Sequence, residues 1–280
     1  MKFVFRQVDV FTETPLLGNP LAVVHDADAL DGATMQAFAN WTNLSETTFL
    51  LRPTQLAADY RVRIFTPDRE LPFAGHPTLG SCHAWLQAGG VPRSDQVVQE
   101  CGAGLIRIRR DAGRLAFAAP PLLRTGDVEA GLLDRIANAL GLARNAIRQA
   151  QWIDNGPGWI GLMLATRAEL LAVRPDFSLL AGLDIGLVAP WDPEVDGDEA
   201  AFEVRGFDRT EDPVTGSLNA GLAQWLIGAG LAPPRYVARQ GTVLGRRGVV
   251  HVERRDAAIW IGGAVATCIE GHVDLPAAPV

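Results

Sequence analysis

Four side chains of this 280-residue chain have the types and settings that proton transfer on a small acid requires: Glu46, His76, Asp212 and Ser217. Glu46 ends a polar loop, Asn43-Leu44-Ser45-Glu46, and stands at the entrance of a strand-like run over residues 47–51. A carbon acid yields its proton to a base whose pKa partial burial has raised toward working pH, and Asn43, Ser45 and Thr47 are close enough in sequence to orient one. His76 lies between Gly75 and Pro77, and Pro77 suits the first turn of a helix, where its missing N–H costs nothing. At a helix N-terminus an imidazole is biased toward its neutral form, a hydrogen-bond donor rather than a strong base. Asp212 precedes Pro213 and sits one turn ahead of a second helix start at Ser217. Each residue also has a plainer reading: a solvated strand-end glutamate, a structural histidine, a loop or cap aspartate, and a serine N-cap.

What favours the chemical reading is that the chain repeats itself. Arg63 to Gly80 (RIFTPDRELPFAGHPTLG) is echoed by Arg205 to Ala220 (RGFDRTEDPVTGSLNA): an extended run ending in Phe, a polar loop, an acid, a proline, a glycine and a helix. Gly75 pairs with Gly216, His76 with Ser217 and Pro72 with Pro213, each 141 positions on (216 − 75 = 141). A repeat at half the chain length predicts two similar domains, 1–119 and 120–280, with the last strand, about 265–273, a candidate to pack back on the first. If an approximate two-fold relates them, the two helix starts face each other across an interdomain cleft. Each carries roughly half a positive charge and unpaired N–H groups, so a small carboxylate, or the enolate formed from one, is the natural occupant.

The residues around these motifs predict sheets wrapped on two helices. Residues 2–11 are extended with a bulge near Arg6-Gln7, Gly18-Asn19-Pro20 is a turn, and 21–24 is a buried strand. Asp31 caps a helix that buries Met35, Phe38 and Ala39. Tyr60, Val62 and Ile64 alternate with Arg61 and Arg63 as a half-buried strand. The helix from Pro77 to Ala88 is lined with Gly80, Ser81, Cys82 and Ala84, and the one from Ser217 to Ile227 with Ala220, Gly221 and Ala223; small residues let backbone approach closely, which predicts that each is central to its domain. Strands follow at 97–100, 105–109 and 114–118, with a hairpin at Asp111-Ala112-Gly113. The second half opens on an amphipathic helix (Leu132, Leu133, Ile136, Leu140) stopped by Gly141, then runs mostly as strands.

Composition narrows the partners. A formal charge of −7 without a basic cluster argues against nucleic acid or an anionic membrane surface. Lys2 to Phe11 interleaves charges and is no signal peptide, and residues 259–269 fall short of a membrane span, so a soluble cytoplasmic protein is expected. Three cysteines without CxxC spacing disfavour a disulfide framework or zinc site, and His76 and His83 lack a third metal-ligand partner, so no metal is expected. Gly156-Pro157-Gly158-Trp159-Ile160-Gly161 fits GxGxxG but leads into a strand, so it is not read as a dinucleotide site. Ser217 lacks the GxSxG elbow of a hydrolase.

Gly18-Asn19-Pro20-Leu-Ala-Val-Val, Asn43-Leu-Ser-Glu46-Thr-Thr-Phe, Glu70-Leu-Pro-Phe-Ala-Gly-His76-Pro-Thr-Leu-Gly and Asp212-Pro-Val-Thr-Gly-Ser217 resemble, in order and across nearly the whole chain, the motifs of the PhzF family of phenazine-biosynthesis isomerases. The resemblance implies the diaminopimelate epimerase-like α+β fold: two pseudo-symmetric domains, each a mostly antiparallel sheet rolled around a central helix, with the site between them and usually as a homodimer. It implies an isomerase without cofactor, in which Glu46 moves a proton between carbons of a dihydro-hydroxyanthranilate or another small carboxylate. His76, Asp212 and Ser217 would then hold and polarise the substrate, with Gly75, Gly216 and Asn19 as further contacts. The epimerase is similar in its helix starts but carries a cysteine at each, where Ala74 and Thr215 stand here, which disfavours a thiol-based racemase. An amino-acid epimerase and a non-catalytic carboxylate-binding protein are the competing readings.

Overall fold

A computed structural model describes residues 1–111, 113–197 and 199–276. The chain divides into two compact units, Met1–Ala118 together with the chain from Gly262 onward, and Ala119–Ile261. In chain order the elements begin β1 (Lys2–Val10), β2 (Asn19–Val24), α1 (Gly32–Thr42), β3 (Glu46–Leu51), β4 (Tyr60–Phe65), β5 (Glu70–Leu71), α2 (Gly75–Gln87), β6 (Val97–Cys101), β7 (Gly104–Asp111) and β8 (Arg114–Ala118). They continue with β9 (Arg124–Gly126), α3 (Ala130–Ala139), β10 (Gln149–Asp154), β11 (Trp159–Met163), α4 (Arg167–Ala172), β12 (Asp184–Pro190), β13 (Phe202–Phe207) and β14 (Glu211–Asp212). The last are α5 (Gly216–Gly228), β15 (Arg235–Gln240), β16 (Gly248–Arg255), β17 (Ala258–Gly263) and β18 (Val265–Asp274).

The two units share one pairing scheme. In the first, β1 pairs antiparallel with β2 and with β18, β2 runs parallel to β3, β4 is antiparallel to β3 and β5 and parallel to β6, and β6 is antiparallel to β7. In the second, β10 pairs antiparallel with β11 and with β9, β11 runs parallel to β12, β13 is antiparallel to β12 and β14 and parallel to β15, and β15 is antiparallel to β16. The duplicated segment therefore extends well beyond the helix starts, and α3 is the helix without a counterpart in the first unit.

Local chemistry explains the elements. Asp31 accepts the Thr34 N–H at 2.7 Å and starts α1, and Asn43, left-handed at φ 53°, ends it and turns the chain toward Glu46. The register of β1 against β18 shifts between Gln7 and Val8, with Cys268 the extra residue on β18; the two faces of β1 are both covered, Phe3 packing with Met35 and Phe38 of α1 while Val8 and Val10 lie against Gly80 of α2. Gly18 is the turn before β2, but the strand begins already at Asn19 because its backbone pairs with Val10. The helices begin two residues and one residue earlier than Pro77 and Ser217, at Gly75 and Gly216. Ala112 of the expected hairpin lies outside the described residues, and its flanks pair Asp111 with Arg114.

Both central helices are buried on nearly all sides, as a helix enclosed by a rolled sheet must be. Their small residues are a steric requirement. A Cβ on Gly80 would lie 2.6 Å from Leu21 Cδ2 and within 3.1 Å of Val8 and Val10 side chains. Gly221, at the 141-residue offset, would place one 2.5 Å from the Ile153 carbonyl oxygen.

Candidate active site

In the first unit the entrance of β3, the start of β2 and the first turn of α2 bring Glu46, Asn19 and His76 together. The Asn19 amide nitrogen lies 3.3 Å from Nδ1 of His76, and a Glu46 carboxylate oxygen lies 3.3 Å from its Nε2. An amide N–H only donates, so Nδ1 is the acceptor and the imidazole hydrogen sits on Nε2. Burial holds His76 down at about 3, so the ring is neutral at working pH. Neutrality was expected from the helix end; burial is its cause here. The Glu46 contact is close but not aligned with the N–H, and buried Nε2 has no hydrogen-bond partner among the described residues. Its hydrogen is thus available to an acceptor placed beside Glu46.

Glu46 itself is only 15% exposed, three residues beyond the Asn43 cap. Thr47, expected to orient it, is instead engaged with the Thr42 hydroxyl at 2.8 Å. Asn19 is anchored from behind: the Gly18 N–H donates to buried Asp9 at 2.9 Å, and a Cβ on Gly18 would sit 2.2 Å from the Val10 carbonyl oxygen. Gly18 is therefore required at that turn.

In the second unit the N-cap of α5 is Thr215, not Ser217, and Ser217 is the second residue of the helix. Thr215 caps nothing with its side chain; its hydroxyl donates to Asp212 at 2.6 Å. Asp212 is thereby tied to the helix start it precedes. Ser217, half-buried, accepts the indole N–H of Trp159 at 3.0 Å. Ala74 caps α2 and, like Thr215, makes no side-chain cap bond, so neither helix start is closed by its own N-cap.

Two bracing devices escape a reading by motif. Gln99 and Gln240 are both fully buried, and each stands 21 residues after the fourth residue of its central helix, Thr78 or Asn219. Gln99 donates to the Thr78 hydroxyl at 3.0 Å and accepts from Tyr60 at 2.9 Å. Gln240 accepts from the Thr215 N–H and from Asn219, at 3.0 and 2.9 Å, and donates to the Thr215 hydroxyl and the Asp212 carbonyl, at 2.9 and 3.2 Å. Thr78 and Asn219 in turn donate to the N-cap carbonyls of Ala74 and Thr215, both at 2.9 Å. The second device is a bidentate ion pair beneath each loop. Arg63 grips Glu70 at 2.7 and 2.6 Å, and Arg205 grips Glu211 at 2.9 and 2.8 Å. The 141-position offset that pairs the two helix starts also pairs Gln99 with Gln240 and Glu70 with Glu211, while Arg63 and Arg205 stand one position further apart.

Two duplicated sheet-and-helix units, each presenting polar donors and a carboxylate at the start of its central helix, define an α+β protein of the diaminopimelate epimerase-like class. The family described as phenazine biosynthesis-like protein matches residues 8–271. Antisense-enhancing sequence 1 of Schizosaccharomyces pombe is 37% identical over 95% of this chain and 97% of its own. Trans-2,3-dihydro-3-hydroxyanthranilate isomerase of Pseudomonas aeruginosa is 38% identical over 62% of this chain and 61% of its own. The crystal structure of a PhzF-family protein of Enterococcus faecalis superimposes with a TM-score of 0.81 at 26% identity, covering 98% of this chain and all of that one. The chain belongs to the PhzF family, and it is an isomerase.

Proposed function

We propose that Glu46 moves a proton from one carbon to another of a small, amino-bearing carboxylate, and that the chain's own side chains suffice for the chemistry. The observation that carries this reading is the Asn19–His76–Glu46 arrangement, which offers a carboxylate and a neutral N–H donor side by side at a helix start. Glu46 takes the proton from carbon, and the electron pair left behind delocalises toward the substrate carboxylate as an enolate-like anion. Glu46 then returns the proton to a second carbon, so no net proton is gained or lost. Within the first unit the developing charge is met by the His76 N–H and the helix-start N–H of Gly75. In the second unit Asp212 is held at the start of α5 by the Thr215 hydroxyl on its carboxylate and by Gln240 on its carbonyl.

A thiol-based racemase is disfavoured by the same geometry. The two N-caps are Ala74 and Thr215, and buried Cys82, whose thiol is pushed up to about 12, is no nucleophile.

The test is solvent-deuterium incorporation followed by NMR, with trans-2,3-dihydro-3-hydroxyanthranilate as probe. The wild type is expected to incorporate deuterium during isomerisation, and Glu46→Gln to lose the rate by about 10²- to 10⁴-fold. Equal incorporation in both proteins removes Glu46 from the role; none in the wild type removes this substrate.

A further inference from the structure

The hydroxyls of Ser81 and Thr48 form a cross-brace inside the first unit. Ser81, on α2, donates to the Thr48 hydroxyl at 2.9 Å, and Thr48, on β3, donates to the Ala22 carbonyl of β2 at 3.3 Å. Both side chains are fully buried. The three elements tied together are the ones that carry the site: His76 stands on α2, Glu46 two residues before Thr48 on the same face of β3, and Asn19 on β2. Apolar contacts are non-directional, and Gly80, Cys82 and Ala84 give α2 a smooth surface there, so packing by itself leaves the slide of the helix along the strands loosely set. A hydrogen bond has a definite length and direction and fixes it.

The second unit folds without this brace. Gly186 stands where Thr48 does: each is the third residue of its strand and lies opposite the residue before a strand-ending phenylalanine, Ile64 before Phe65 and Gly206 before Phe207. Leu222 stands where Ser81 does, at the same offset (222 − 81 = 141). Leu218 fills the space a side chain at Gly186 would need, with its Cδ1 2.1 Å from where the Cβ would lie, and Leu222 is buried. Apolar groups therefore satisfy the packing at this place, and the fold does not require the hydroxyls. They belong to the unit that holds the Asn19–His76–Glu46 arrangement.

We propose that Thr48 and Ser81 are positioning residues for proton transfer, their hydroxyl pair holding the Glu46 carboxylate and the His76 Nε2 at their 3.3 Å separation. Neither touches the reacting atoms; each acts through the element it ties down. The proposal rests on the proposed function for the role of Glu46, whereas the spacing it asserts is read without substrate.

Two measurements on the full-length protein test it. In the first, the His76 Nε2 resonance, identified in long-range ¹H–¹⁵N spectra by its loss in His76→Gln, is expected to move in Thr48→Val and in Ser81→Ala and to stay in place in Thr48→Ser, which keeps the hydroxyl. A resonance unmoved in folded Thr48→Val, or moved equally in Thr48→Ser, overturns the proposal whatever the substrate proves to be. In the second, with trans-2,3-dihydro-3-hydroxyanthranilate as probe, Thr48→Val and Ser81→Ala are expected to lower kcat about tenfold with KM within about twofold, and Thr48→Ser to restore most of the rate. The double variant Thr48→Val/Ser81→Ala should be no slower than the slower single variant, because both changes break one device. Wild-type kcat in Thr48→Val, a rise in KM in place of the fall in kcat, or additive losses in the double variant overturns it. Equal deuterium incorporation in wild type and Glu46→Gln instead removes the proton-shuttle reading and leaves the resonance measurement to decide the spacing.

Discussion

Gln99 and Gln240 occupy equivalent places in the two units, each buried beneath the start of a central helix and bonded to that helix's fourth residue. Gln240 makes four side-chain hydrogen bonds and Gln99 two, so the two sites differ in how much depends on the amide.

Gln240→Leu leaves Thr215 N–H, the Asn219 amide and the Asp212 carbonyl short of partners in a dry environment. The expected loss is about 2–4 kcal/mol in urea denaturation, against about 1–3 kcal/mol for Gln99→Leu. A Gln240→Leu protein as stable as wild type removes the bracing role.

The two bidentate ion pairs give a second contrast, equal in geometry and unequal in burial. Arg205 and Glu211 are 2% and 9% exposed, and Arg205 also donates to the Leu170 and Val173 carbonyls, at 2.9 and 2.8 Å. Arg63 and Glu70 are 30% and 42% exposed. Arg205→Met strands a buried carboxylate and two carbonyls and is expected to cost about 3–5 kcal/mol. Arg63→Met should cost about 1 kcal/mol or less, since water screens the pair. Thermal or urea unfolding of the two variants side by side measures the difference.

His76 makes stability depend on pH in a definite direction. Its pKa is about 3 when folded and near the ordinary 6.5 when unfolded, so between those values the unfolded chain binds the proton more strongly. The contribution is complete above pH 6.5 and drains away as pH falls toward 3. His25, lowered to about 4 chiefly by burial, adds to the same trend. His76→Gln should therefore lose less stability than wild type between pH 7 and pH 5, with the His25 part of the slope remaining. Urea midpoints at the two pH values report this, and identical slopes for both proteins contradict a buried neutral imidazole.

Gly18 tests the anchoring of Asn19. Gly18→Ala drives a methyl into the Val10 carbonyl, so the β1–β2 turn must move. The expected cost is about 1–3 kcal/mol, with weakened turnover because Asn19 no longer orients His76. Deuterium incorporation at matched folded concentration separates the two effects.

The amino-acid sequence by itself determined the duplication, the α+β class, the capping of α1 by Asp31, and which helices are central, because these follow from repeat offset, periodicity and side-chain size. It also marked Glu46, His76, Asp212 and Ser217 as residues worth testing. What only the tertiary structure decided is who touches whom. Asn19 and His76 are 57 positions apart and Trp159 and Ser217 are 58 apart, and the packing of each central helix against its own sheet brings them within hydrogen-bond distance. The same holds for the displacement of Ser217 from N-cap to second helical residue, since Thr215 takes the extended backbone at the cap. Donor direction and burial are properties of a three-dimensional neighbourhood. That is why His76 emerges as a neutral donor through burial, and why Gln99, Gln240 and Trp159, silent in their local sequence, hold the helix starts in place.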